Sequence, residues 1–228
     1  MDKEKWKADP FDVRYFLISK LRSFKEKMVL DVGGGIGIIE SEMEQSNFRV
    51  NVDISIKDLK TCLHKTDPMI NPICASMLFL PFRDSIFDIV ISSHIIELAK
   101  LMDISDKDDE KRSTCSNMKK VMTEKCRILK KKGILFLTTP NYAYHKTSNK
   151  LTFSELNNLL ALFFNNFSIN FFNTLPKMSK KRKFNFTNIV PKIKAKLGKN
   201  PDNIIDSLFK EKSKNTYSVY FFATAKKD

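Results

Sequence analysis

Val29-Leu30-Asp31-Val32-Gly33-Gly34-Gly35-Ile36-Gly37-Ile38-Ile39-Glu40 decides the fold. It reads as a buried strand ending in an acid, then a glycine turn and an apolar helix start, the layout of a nucleotide-type site in an α/β sheet. Spacing excludes two known glycine loops. The dinucleotide pattern G-x-G-x-x-G fails in both frames, because Ile38 or Glu40 stands where the third glycine is required. No Gly-Lys-Ser/Thr is present for a phosphate loop. What remains is Asp31-x-Gly33-x-Gly35-x-Gly37. Alternating glycines permit positive φ and let a ligand approach main-chain atoms with no Cβ in the way.

That spacing resembles the first motif of class I S-adenosylmethionine (SAM)-dependent methyltransferases. A second resemblance follows in order: Leu80-Pro81-Phe82 and Phe87-Asp88, within Ala75 to His94, are similar to a stretch of the methyltransferase group that includes ubiquinone-pathway enzymes and many small-molecule methyltransferases. Arg127-Ile128-Leu129-Lys130-Lys131-Lys132-Gly133 resembles that group's Arg-Val-Leu-Lys-Pro-Gly-Gly turn, with Gly133 left to stop the preceding helix. Leu151-Thr152-Phe153-Ser154-Glu155-Leu156 resembles its Phe-Thr-x-x-Glu-Leu helix start, with Ser/Thr capping and Glu in the first turn.

The resemblance covers roughly residues 28 to 175 plus the final strand. It implies a Rossmann-like α/β fold: a seven-stranded, mostly parallel sheet in the order 3-2-1-4-5-7-6, strand 7 antiparallel, with helices on both faces. The elements read from hydrophobic pattern agree. Residues 38–46 and 55–64 read as the first two crossover helices and 116–129 as a later one. Strands are expected at 48–54, 71–74, 87–93, 167–172 and 216–225. The whole chain is expected to be a single methyltransferase domain: an N-terminal helical or lid segment at 1–27, a core at 28–175, a basic insert at 176–215 and the last strand at 216–225. Trp6, Phe11, Tyr15, Phe16, Leu17, Leu21 and Phe24 give the first segment its apolar content.

The resemblance also implies a cofactor, SAM, and residues to hold it: Asp31, Gly33, Gly34, Gly35, Gly37, Asp53, Ile54, Ser76, Met77 and Ser92. Asp53 lies 22 places after Asp31 at a strand's carboxyl end. An acid there accepts both ribose hydroxyls, a task that suits an acceptor-only carboxylate. Ile54 would flank the adenine. Ser76 departs from the family, which has an acid at this place for the adenine amino group; a hydroxyl can still accept one hydrogen bond.

Ser92-Ser93-His94 should lie at the switch point beside the first strand, where ligands of such sheets bind. His94 is the first candidate for general base, because a near-neutral pKa suits removal of a proton from an oxygen or carbon acid. Tyr142 and His145, with Tyr144 between them and Glu97 on the helix after His94, are further candidates. The Asn/Asp-Pro-Pro-Tyr/Phe motif often found here in nucleic-acid and protein amino-methylating enzymes is absent. The preferred acceptor is therefore an oxygen or carbon of a small molecule or lipid-linked metabolite. An RNA acceptor and a non-catalytic SAM-fold binding protein are the alternatives.

Composition sets the remaining bounds. At 228 residues with formal net charge +14, the chain is long enough for one substantial α/β domain and favours anionic partners. Cys62, Cys74, Cys115 and Cys126 form no C-x-x-C pair and the three histidines are scattered, so no metal site is expected. No apolar run approaches the roughly 20 residues that span a bilayer, and the charged start is not followed by a signal-type segment. A cytoplasmic protein is expected, peripheral at a membrane if its charge is used there. That charge is local: Pro176 to Asn200 contains nine Lys and Arg residues, no acid, and Phe184, Phe186, Ile189, Val190, Ile193 and Leu197 interleaved. Such a stretch suits an anionic membrane surface or an RNA backbone.

Overall fold

Continuous apolar runs can become strands only where both faces of the sheet are covered, and the chain meets this condition with one sheet between two helical layers. The computed structural model describes residues 13–105, 116–142, 150–176 and 216–228. The strands are β1 (Met28–Val32), β2 (Phe48–Asp53), β3 (Asn71–Cys74), β4 (Phe87–Ser93), β5 (Leu129–Pro140), β6 (Asn166–Pro176) and β7 (Thr216–Lys226). Their order is β3-β2-β1-β4-β5-β7-β6. β7 runs antiparallel to β5 and β6, and the other pairings are parallel. Order and direction are those expected from the sequence.

The helices are α1 (Val13–Leu21), α2 (Ile38–Ser41), α3 (Ile56–Thr61), α4 (Ile96–Ser105), α5 (Ser116–Ile128) and α6 (Phe153–Ala161). Strand alternation divides the core. Leu30 and Val32 of β1, Val90 of β4, and Leu135 and Leu137 of β5 pack under α4, α5 and α6. Val29, Ile89, Ile91 and Phe136 point the other way, against α1 and α2. α1 buries Val13, Phe16, Leu17, Ile18 and Leu21. Trp6 and Phe11 lie outside the described residues.

Three local expectations need correction. α2 ends at Ser41 instead of Ser46, because Asn47 turns the chain down into β2: its Nδ2 donates to the carbonyls of Phe24 and Glu44, and its Oδ1 accepts from the amide of Lys27. α3 is capped by the Ser55 hydroxyl and widens after Thr61 into a π-turn over Cys62–Thr66, which brings Asp67 onto buried Arg49 at 2.8 Å. Gly133 does not stop a helix. α5 ends five residues earlier, and Gly133 lies in β5 beside Lys132, whose φ is +65°. A Cβ on Gly133 would stand 2.8 Å from the Lys130 carbonyl oxygen, so close backbone approach explains the glycine. The Thr152–Glu155 capping box forms as read.

Arg127 fastens the Leu80-Pro81-Phe82 block to α5. Its guanidinium donates to the carbonyls of Leu80 and Phe82 and pairs with Glu124 and Asp84, while Glu124 accepts from the Leu80 amide. Truncation would take a donor from two carbonyls and two carboxylates. Arg127→Leu is expected to lower unfolding free energy by about 2–3 kcal/mol in urea titrations; a loss below about 0.5 kcal/mol would show the node to be ornamental.

Candidate active site

β1 delivers the chain to a loop that only glycine can follow. Gly33, Gly35 and Gly37 have φ of +77°, +56° and +75°, a region costly for residues with a Cβ. A Cβ on Gly33 would collide with Ile95, and one on Gly37 with Cys62. Gly35 is different: a Cβ there would meet nothing within 4 Å, so its outer face is open. β2 holds this residue from both sides. The Gly35 amide donates to Asp53 Oδ2 at 3.0 Å, and Asn51 Nδ2 donates to the Gly35 carbonyl at 2.9 Å. The Gly33 amide adds a bond to the Val52 carbonyl at 2.6 Å.

Asp53 also turns the chain after β2, accepting from the Ser55 amide at 2.8 Å through Oδ1. Each carboxylate oxygen thus keeps a lone pair for a further donor. Ile54, next to it, is 75% exposed. The Ala75 amide bonds to the Asp53 carbonyl and so sets Ser76 and Met77 alongside. The Ser76 hydroxyl accepts from the Leu78 amide at 3.2 Å. The open Gly35 face, the acceptor pair of Asp53 and the apolar Ile54 and Met77 therefore share one rim. This donor and acceptor set fits the ribose, adenine and amino-acid parts of SAM.

Two expected cofactor residues stand apart from that rim. Ser92 is fully buried, its Oγ has no partner, and strand alternation puts it on the face of Val90, beneath α4 and α5; only its main chain is left for a ligand. Asp31 is 1% exposed and faces the other way, under the loop.

At the carboxyl ends of β4 and β5, Ser93 and Thr138 share a hydrogen bond of 2.9 Å, and the His94 amide donates to the Thr138 carbonyl. His94 takes φ +58°, and its ring stacks on Tyr220 of β7 at 5.2 Å and 16°. Tyr142 is partly exposed at the end of β5, its amide bonded to the Leu151 carbonyl. His145 and Tyr144 lie outside the described residues.

Of the polar groups beneath these surfaces, sequence reasoning named Asp31 and Glu97 and missed Lys125, Asn51 and Glu40. Lys125 of α5 is fully buried with no partner for Nζ, and burial lowers its pKa to about 7 against the pull of Asp31 and Glu97. Glu97 is pushed up by burial and accepts from Thr139 Oγ1 at 3.1 Å. Lys125 was legible as a basic residue in the apolar series Met118, Val121, Met122, Ile128. Asn51 and Glu40 likewise interrupt apolar runs, in β2 and α2.

Comparison with known proteins gives the site its family. The family described as "Methyltransferase domain" matches residues 30–137, from β1 through β5. Residues 30–137 carry a SAM-dependent methyltransferase domain. The chain's fold is that of a SAM-dependent methyltransferase from Archaeoglobus fulgidus (TM-score 0.57, 18% identity, 99% of this chain and 97% of that one). It is also similar to the N-methyltransferase NodS of Bradyrhizobium japonicum with S-adenosyl-l-homocysteine (0.59, 11%, covering 100% and 93%). A third similar structure is the complex of the Haloferax volcanii Trm112 methyltransferase activator with a methyltransferase described as putative (0.62, 11%, covering 98% and 92%). An uncharacterised protein of Methanocaldococcus jannaschii is 30% identical over 131 residues, 58% of this chain; the match spans 48%, about half, of that relative.

S-adenosylhomocysteine at about 100 times its dissociation constant should stabilise the protein by about 2.7 kcal/mol. Asp53→Ala and Gly35→Val are expected to abolish the corresponding thermal shift; retention of the shift in both variants would refute this rim as the cofactor site. A second expectation concerns Lys125. A depressed folded-state pKa means that stability is full above pH 10.5 and is lost as pH falls toward about 7. Lys125→Met should therefore gain on the wild type at pH 7, and the gain should shrink toward pH 10, by at most about 1.4 kcal/mol per pH unit in urea titrations. A gain independent of pH would remove the lysine's titration from the account.

Proposed function

We propose that the protein transfers a methyl group from SAM to an oxygen or carbon of a small-molecule or lipid-linked acceptor. The observation that carries this reading is the placing of the His94 ring, at the carboxyl ends of β4 and β5, next to the strand that supplies the glycine loop. SAM, when bound, supplies a methyl already activated by positive sulfur. What the chain must supply is alignment, worth up to about 7–11 kcal/mol in favourable cases, and a base for a weakly acidic acceptor.

Stacking on Tyr220 fixes the plane of the imidazole, so the orientation of His94 is set before an acceptor arrives. Tyr142 offers a polar, partly exposed ring at the end of the neighbouring strand and would orient the acceptor. The basic insert supports an anionic or lipid-linked acceptor through its attachment. β6 and β7 remain paired from Phe172↔Tyr220 to Pro176↔Thr216, beyond the last β5 pair at Pro140, so the chain on either side of 177–215 is held at the carboxyl edge. The same charge favours RNA as the second reading.

Methyl transfer from labelled SAM to panels of hydroxyl and carbon acids, lipid-linked acceptors and RNA tests the reading. His94→Gln is expected to lower kcat by about 10²–10⁴ and remove the acidic limb of the pH profile, with the S-adenosylhomocysteine thermal shift retained. Transfer confined to RNA would replace the first reading with the second. SAM binding without turnover on every panel would leave a binding protein.

A further inference from the structure

Beneath the glycine loop lies a pair of acids with no visible reason to be there. Asp31 of β1 and Glu40 of α2 are 1% and 0% exposed, and none of their four carboxyl oxygens meets a conventional donor. Asp31 raises Glu40 electrostatically, and two carboxyl groups buried together with no donor keep a proton between them rather than carry two charges. The loop closes directly over the pair. A Cβ on Gly34 would stand 2.7 Å from Glu40 Oε1 and equally close to Asn51 Oδ1. Asn51 holds the Gly35 carbonyl through its other amide atom, so the pair and the open rim are separated by one layer of backbone.

The surroundings do not neutralise it. Arg49 of β2 approaches Glu40, but its Nη1 donates to the Glu40 carbonyl oxygen and to Asp67. Asp53 of β2 adds negative charge, the Cys62 thiol is pushed up to about 11 and stays neutral, and Lys125 acts on Asp31 from across the sheet. Burial, chiefly, raises both acids; Asp31 reaches about 7. The pair thus changes charge near neutrality, where any added positive charge on the rim would alter its proton content.

We propose that Asp31 and Glu40 act as one shared-proton acid that distinguishes the cationic methyl donor from its neutral thioether product by charge. The donor carries one positive charge more than the product. Its arrival on the rim favours the pair without its proton, which passes to solvent; when the sulfonium has become a thioether, the pair takes a proton back and its hold on the product weakens. Glu40 is therefore a specificity residue that touches neither ligand.

The proposal rests on the cofactor reading of the rim, and the test separates the two. Calorimetric titration of the full chain with SAM and with S-adenosylhomocysteine, between pH 5.5 and 8.5 in buffers of differing ionisation enthalpy, reads affinity and protons together. SAM is expected to release more protons than the product. The ratio of product Kd to donor Kd should rise with pH, by at most about tenfold per unit. Glu40→Gln and, independently, Asp31→Asn should flatten that ratio while still binding both ligands. Equal proton release in the wild type, or a pH-dependent ratio that persists in either folded variant, would overturn the proposal while leaving the cofactor site intact. Failure of both ligands to bind the wild type would overturn the site and the proposal with it.

Discussion

The residue on which the site depends is Gly35, gripped by β2 at both ends of its peptide unit. Asp53 takes its amide and Asn51 its carbonyl, so the loop's shape is inherited from the register of β2 against β1. Hydrogen bonds to an ionised partner contribute roughly 1.5–3 kcal/mol each, more than neutral ones. Three left-handed glycines would otherwise make this the most freely moving part of the backbone. The tether converts a segment of high conformational entropy into a rigid rim, and a rigid rim loses less freedom when a ligand arrives.

The same constraint explains why polar groups accumulate inside the sheet. To hold Gly35 from below, β2 must carry Asn51 where an apolar residue would pack better, and its amide also reaches the Cys62 sulfur. Asn51 and Glu40 fill the space that Gly34 leaves. On the other face Lys125, Glu97, Ser92 and Thr139 form a second polar layer under β4 and β5. Buried ionisable groups are costly, and the large cores above and below the sheet offset them.

Much of the architecture was legible because it is written in patterns that burial enforces. β4 begins and ends where its apolar run does, since a run buried on both faces has few other solutions. The loop was legible from its glycines, and Asp53 from its distance to Asp31. Helix ends were not. The end of α2 is set by Asn47, whose three partners come from Phe24, Lys27 and Glu44, and no local propensity carries that information. Gly133 looked like a helix stop because glycine serves both helix ends and close backbone approaches, and only the register of β5 tells them apart. The burial of Glu40 stayed hidden for a related reason. A Glu in the first turn of a helix is ordinary in sequence, and its cost appears only when the loop is seen to close over it.

The two strands that extend past the sheet bear on how such a protein can change. Pairing at Pro176 and Thr216 brings the ends of the intervening 39 residues together before that segment does anything. Each doubling of a closed segment's length adds only about 0.6 kcal/mol of closure entropy. New sequence can therefore be lengthened, shortened or exchanged at this point with little effect on the thermodynamics of the sheet. The ribbon works as a socket, at which the intervening segment can change while the glycine loop stays as it is.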